Sequence, residues 1–197
     1  VLNLSAGIYG DAAIAAMSIV GRIIFFAISI MLGIGQGFQP VCGFNYGAKL
    51  YDRVLRAFYF TTKISIAALL ILAMISFIGA EKIITVFRKE DLEVISIGTG
   101  ALRLQSLSLP FAAWVIMVNM LTQTIGKSRE ASLLAIGRQG LFFIPIVLIL
   151  PRTIGILGLQ LSQPLSDIFT FLFAVYISKN VLSELKALEE EQEAKTI

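Results

Sequence analysis

The chain has 197 residues, 57% hydrophobic and 15% charged, with a formal net charge of +3. Soluble domains carry about a quarter charged residues, so this composition, with a mean hydropathy of +0.85, points away from a soluble fold and towards lipid. The absence of histidine and the single cysteine, Cys42, exclude a histidine relay, a histidine or cysteine-cluster metal site and an internal disulfide, and no run interleaves basic with aromatic residues as nucleic-acid binding would require.

Crossing roughly 30 Å of hydrocarbon takes about 20 apolar residues. Five segments meet that length: residues 23–42, with an apolar approach from residue 12, then 57–80, 104–126, 131–150 and 154–178. The expected fold class is all-α, a polytopic membrane protein. The opening Val1-Leu2-Asn3-Leu4 reads as the last turn of a preceding span, and residues 1–10 as its remnant plus an outer loop. Residues 11–178 read as a five-helix membrane bundle, and residues 179–197 as a cytoplasmic amphipathic and acidic tail. In that tail Val181, Leu182, Leu185 and Leu188 recur at helical spacing, opposite Glu184, Lys186 and Glu189. The helix is expected to fray over residues 189–193, which are almost all acidic.

The connections carry the charge. Lys49, Arg53 and Arg56 against Asp52 follow the first span, and Lys127 and Arg129 against Glu130 follow the third. The loop after the second span is mixed, and the turn after the fourth holds Arg152 alone. Lys and Arg in short loops mark the cytoplasmic side, so the first and third connections and the C-terminus are expected there, in a cell or inner membrane. The first span then enters from outside, which again implies a helix upstream.

Prolines fall in four of the five spans, at Pro40, Pro110, Pro145 and Pro164. Membrane helices hold such breaks where neighbours or cavity water satisfy the freed carbonyls. The end of the first span is richest in polar groups. Gln36, Gln39 and Asn45 are uncharged but costly in hydrocarbon unless they meet a partner or water. They are substrate-cavity candidates with Pro40, and with Asn119 and Gln123 of the third span. Their alternative is interhelical glue. The glycines at 33, 37, 43 and 47 have the spacing of a close helix approach. No strand precedes them, so they are not a dinucleotide loop. Arg22, Arg103 and Lys63 can reach headgroups. Arg138 and Asp167 lie deeper, where a charge costs at least about 2.5 kcal/mol. They are candidates for an intramembrane pair, since residue counts from the turn at 151–153 place them at similar depths. Asp167 is otherwise a proton or cation site.

Gly35-Gln36-Gly37-Phe38-Gln39-Pro40, then Gly43-Phe44-Asn45-Tyr46-Gly47-Ala48, then Arg53-Val54, resembles the multidrug and toxic compound extrusion (MATE) family, at the second helix of its C-terminal lobe and the loop after it. Leu109-Pro110-Phe111, Arg138-Gln139-Gly140, Gly155-Ile156-Leu157-Gly158 and Asp167 come later in the family's order, and the resemblance runs over about residues 7–176. It implies most of one six-helix lobe in a transporter of the MOP superfamily, with the N-terminal lobe as its missing partner. It further implies export of organic cations and drugs across the bilayer by alternating access, against inward proton or sodium flow, with no cofactor. One sodium-coupled branch carries acidic residues in the helix equivalent to the third span. None stands in residues 104–126 here, so that ion site is not carried over.

The runner-up within transport is a flippase for lipid-linked saccharides, whose cavity needs cations for pyrophosphate. Arg138 is the one deep cation on offer. A membrane enzyme needs a catalytic cluster at depth, and Asp167 is the one deep acid, so the chain is not expected to be an enzyme.

Overall fold

The computed structural model describes residues 5–196. The four opening residues, read above as the end of a preceding span, lie outside that range. A 3-10 turn, Gly7–Tyr9, leads into α1 (Asp11–Gly47), α2 (Tyr51–Ile78), α3 (Ala80–Phe87), α4 (Leu92–Thr124) and α5 (Ser128–Ile136). A π turn, Gly137–Leu141, then precedes α6 (Phe143–Ile154) and α7 (Ile156–Thr196). The described residues form an all-α bundle with no strand.

Four helices, α1, α2, α4 and α7, are long and apolar enough to cross a membrane. At 37 residues, α1 is about 55 Å long, so its ends stand beyond the hydrocarbon. Outward-facing Phe25, Phe26, Phe60, Ile71, Met74, Ile75 and Leu172 form an apolar exterior suited to lipid and not to water.

The fourth expected span, residues 131–150, is not one helix. α5 and α6 meet at the π turn, where the Phe142 amide donates to the Gly137 carbonyl at 3.2 Å, five residues back. Pro145 supplies the reason. It has no N–H for the Leu141 carbonyl, and its ring crowds that carbonyl. As the third residue of a new helix it does no harm, because the first four amides lack intrahelical partners anyway. By contrast α1, α4 and α7 run through Pro40, Pro110 and Pro164.

α4 is the centre of the bundle. It packs against α1, α2, α3, α5 and α7, and 67% of its most apolar stretch is buried, against 28% for α2 and 39% for α7. Phe58 of α2 meets Phe38 of α1 and Trp114 of α4 edge-on, at 6.3 and 5.9 Å between ring centres. The buried stripe of α1 is Met31, Gly35, Phe38 and Cys42, at i, i+4, i+7 and i+11. A Cβ on Gly35 would fall 1.9 Å from the Met120 sulfur, so this glycine makes the close approach to α4. The glycines expected in that role mostly do not make it. Space is open around Gly33, Gly37 and Gly47, and Gly43 alone meets a neighbour, the Thr124 methyl at 3.3 Å. Gly33, Gly37 and Gly47 lie on the exposed side of α1, away from the buried stripe.

Three contacts sort the two ends of the bundle. Tyr9 donates its hydroxyl proton to the Pro151 carbonyl, which joins the start of α1 to the α6–α7 turn. Gly43 lies against Thr124, and Lys127 Nζ reaches Glu184 Oε2 at 2.5 Å. Lys49, Lys127 and the extension of α7 therefore share one end, and Arg152 lies at the other. α7 does not stop at residue 178. It continues as helix to Thr196, so the fraying expected over residues 189–193 is not seen, and buried Val181, Leu182 and Leu185 anchor the extension to the bundle.

Candidate functional site

Asp167 sits on α7 about 17 Å from the helix start, at a depth that a bilayer keeps dry. Its residue is 7% exposed. A carboxylate there needs donors, and the fold supplies them from two helices. Ser108 Oγ of α4 donates to Oδ2 at 2.9 Å. Gln163 Nε2, one turn earlier on α7, donates to Oδ1 at 3.2 Å. Arg138 Nε, from the π turn, lies 4.0 Å from the same oxygen. Ser166 Oγ donates to the Arg138 carbonyl at 3.4 Å, which fixes the turn against α7.

The π turn decides where the arginine points. An extra residue in the turn rotates the start of α6, and Phe142 then stacks on Phe169 and meets Phe173 edge-on. These rings hold the turn to α7 opposite Asp167. The Arg138 side chain is 20% exposed and the Asp167 side chain 9%, so the cation is the wetter partner.

Both charges line a cavity of about 610 Å3 between α1, α4, α6 and α7. Gln105 and Gln163 add polar groups, while Ile24, Ile28 and Leu32 of α1 form an apolar wall. The arrangement can hold a proton or a small monovalent cation on the carboxylate, with the guanidinium setting how strongly. Among the described residues no group of three acidic, thiol or imidazole side chains could hold a metal ion.

The other candidates divide into three situations. Gln36 and Pro40 lie on an exposed stripe of α1 with Gly33, Gly37, Phe44 and Gly47. Gln39 is half-buried beside it. Asn45 is engaged within its own helix, donating to the Val41 carbonyl at 2.8 Å. Asn119 is used at the α4–α5 junction, where Nδ2 donates to the Ala131 carbonyl at 2.8 Å, and Gln123 donates to Asn119 Oδ1 at 2.5 Å. Met120 and Thr124, one position on, are the residues that meet α1. The structure thus brings Arg138 with Asp167, and Asn119 with Gln123. Among the described residues no side-chain hydrogen bond joins Asn119 or Gln123 to the glutamines of α1.

Sequence reasoning missed Ser108, Gln105 and Gln163. Gln163 carried a signal, four residues before Asp167 on one helical face. Ser108 and Gln105 carried none, because the face that α4 turns to α7 is set by tertiary packing.

Residues 1–149 match the family profile MatE. A multidrug export protein MepA from Staphylococcus haemolyticus is 26% identical over 194 residues, covering 95% of this chain and 41% of that protein. A crystal structure of MATE in complex with MaL6 superposes with a TM-score of 0.86 at 19% identity, over 94% of this chain and 42% of that one. The Vibrio cholerae MATE transporter VcmN in the bent form gives 0.85 at 21%, over 93% and 42%. The chain therefore spans about two-fifths of the length of the relatives it matches.

Proposed function

This chain belongs to the MatE family, whose members are membrane transporters and not enzymes, and from that premise we propose that it forms the C-terminal membrane lobe of a secondary-active multidrug exporter. Its cargo is organic cations and similar drugs, moved by alternating access against an inward gradient of protons or sodium, with no cofactor. The observation that carries this reading is the buried Asp167 carboxylate, held by Ser108 and Gln163 and faced by Arg138 on a cavity at membrane depth. Ionisable groups inside a membrane are costly and mark ion pathways or relays.

In this reading Asp167 takes the coupling ion, and Arg138 competes with that ion for the carboxylate. The exposed stripe of α1 with Gln36 and Pro40, and half-buried Gln39 beside it, faces the second lobe across the drug path, as the polar, small-residue surface of a membrane helix favours protein or water over lipid. The end bearing Lys49, Arg53, Arg56, Lys127 and Arg129 faces the cytoplasm with the C-terminal extension, in the cell membrane. A saccharide flippase is not favoured, since Arg138 is the one cation among the described residues that line the cavity, where a pyrophosphate calls for several.

The test uses the chain joined to its other lobe, in proteoliposomes with an imposed proton or sodium gradient. Asp167→Asn is expected to abolish gradient-driven drug flux while leaving drug binding within about twofold. Full gradient-driven flux in that variant would remove Asp167 from the coupling step.

A further inference from the structure

At the end of the bundle that carries Lys49 and Lys127, α7 stands away from α2 and leaves a groove of about 490 Å3. Tyr59 of α2 forms one wall, and Lys179, Leu182, Ser183 and Lys186 of α7 form the other, with Glu190 at the far rim. Lys179, Ser183 and Lys186 lie at i, i+4 and i+7, on one face of the helix. Among the described residues no side chain of the three has a hydrogen bond or ion pair, whereas nearby Glu184 is held by Lys127.

The same face of α7 continues inward through Tyr176 and Leu172, which are 66% and 57% exposed. Along one stripe the chemistry therefore changes from apolar and aromatic, to ammonium and hydroxyl, within a single turn. That change falls between Tyr176 and Lys179, where the apolar run of the sequence ends. Tyr59 stands about 12 Å into α2, in the belt where aromatic rings with a polar tip settle. A molecule matching this stripe has an anionic head and an apolar body.

We propose that the α2–α7 groove is a binding site for an anionic glycerophospholipid. Lys179 and Lys186 bind the phosphate, the Ser183 and Tyr59 hydroxyls donate to its oxygens, and the acyl chains lie along Tyr176 and Leu172. Basic pockets between membrane helices suit such headgroups, and the flexible four-carbon stems of Lys179 and Lys186, whose backbones stand about 10 Å apart along the helix, let both ammonium groups converge on one phosphate. Among the described residues Glu190 is the single acid lining the groove, and it opposes the lipid charge.

The experiment takes the full chain in mixed micelles of phosphatidylcholine with or without phosphatidylglycerol, and counts retained lipid by native mass spectrometry. The unmodified chain is expected to retain phosphatidylglycerol at least about fivefold over phosphatidylcholine. K179Q/K186Q is expected to remove that preference, S183E to weaken it by repulsion, and K179R/K186R and E190Q to keep or raise it. Lys49→Gln with Arg129→Gln, which removes two cations from the same end but outside the groove, is expected to leave it unchanged. The proposal is overturned by an unchanged preference in K179Q/K186Q, or by an equal loss in the Lys49/Arg129 variant, which would mean a diffuse basic surface. It is also overturned if millimolar inorganic phosphate displaces the lipid, which would make the groove a site for free anions. Melting in phosphatidylcholine alone, equal for all variants, keeps misfolding apart from lost binding.

Discussion

A Cβ on Gly158 would stand 2.2 Å from the carbonyl oxygen of Leu150, on the opposing arm of the α6–α7 hairpin. The obstacle is backbone, held in a turn where Gly155 has φ of +67°, and it has nowhere to move. At Gly35 the obstacle is the flexible tip of Met120, which can rotate away. Gly158→Ala is therefore expected to destabilise the chain by about 1–3 kcal/mol, and Gly35→Ala by less, while Gly35→Leu exceeds both. Cys42 is fully buried and is the chain's single thiol, so a fluorogenic maleimide reports each melting temperature directly.

Arg138 and Asp167 are unequal partners. The aspartate is the more deeply buried and relies on its donors, while the arginine opens to the cavity. Removing the arginine strands a buried anion, for which losses of about 3 kcal/mol or more are typical. Removing the aspartate strands a cation that water can reach. Arg138→Gln is thus expected to lower the melting temperature more than Asp167→Asn, and the double variant to fall between them. Strictly additive losses would show that the 4.0 Å separation carries no coupling.

The polar residues near the end of α1 and those of α4 are expected to respond differently. Asn119→Leu removes the side-chain donor to the Ala131 carbonyl and the acceptor of Gln123, an expected loss of about 0.5–1.5 kcal/mol. Gln36→Leu and Gln39→Leu break no side-chain hydrogen bond among the described residues and are expected to leave melting nearly unchanged. Drug resistance of cells carrying the whole protein should change with the glutamines at constant expression. Unchanged resistance across several drugs would make them packing groups.

The two ends of the bundle predict opposite labelling. In a Cys42→Ala background, Lys49→Cys is expected to react with an impermeant maleimide only after the cells are opened, and Arg152→Cys in intact cells. Reaction of both from one side would contradict the membrane orientation proposed above.

Reconstituted alone, this chain is expected to give no ion-driven drug flux, because alternating access moves two units around one central site. Robust coupled flux from the chain by itself would remove the two-lobe reading.

The long apolar helices are legible in the sequence because a bilayer demands length and hydropathy whatever the neighbours are. Helix ends are not. α4 begins at Leu92 instead of residue 104, since Glu93 and Arg103 sit where headgroups and water reach them and a helix has no reason to stop. The break at Gly137–Leu141 hides inside an apolar run, and only the lost amide of Pro145 hints at it. The depths of Arg138 and Asp167 come from counting along the hairpin, but the faces do not, so Ser108 leaves no mark. Spacing alone cannot say which face of α1 turns inwards, so it favours Gly33 and Gly37 over Gly35.

The position of α4 has a mechanical consequence. Five neighbouring helices rest on it, so sliding any one of them past the others means prising it off a common axle, with Gly35 packed on Met120 on one side and Ser108 bonded to Asp167 on another. Tilting the whole bundle as one leaf disturbs none of these contacts. The cheap motion of this chain is therefore a swing and not a shear, and the amide hydrogens in the middle of α4 should be the last to exchange with solvent.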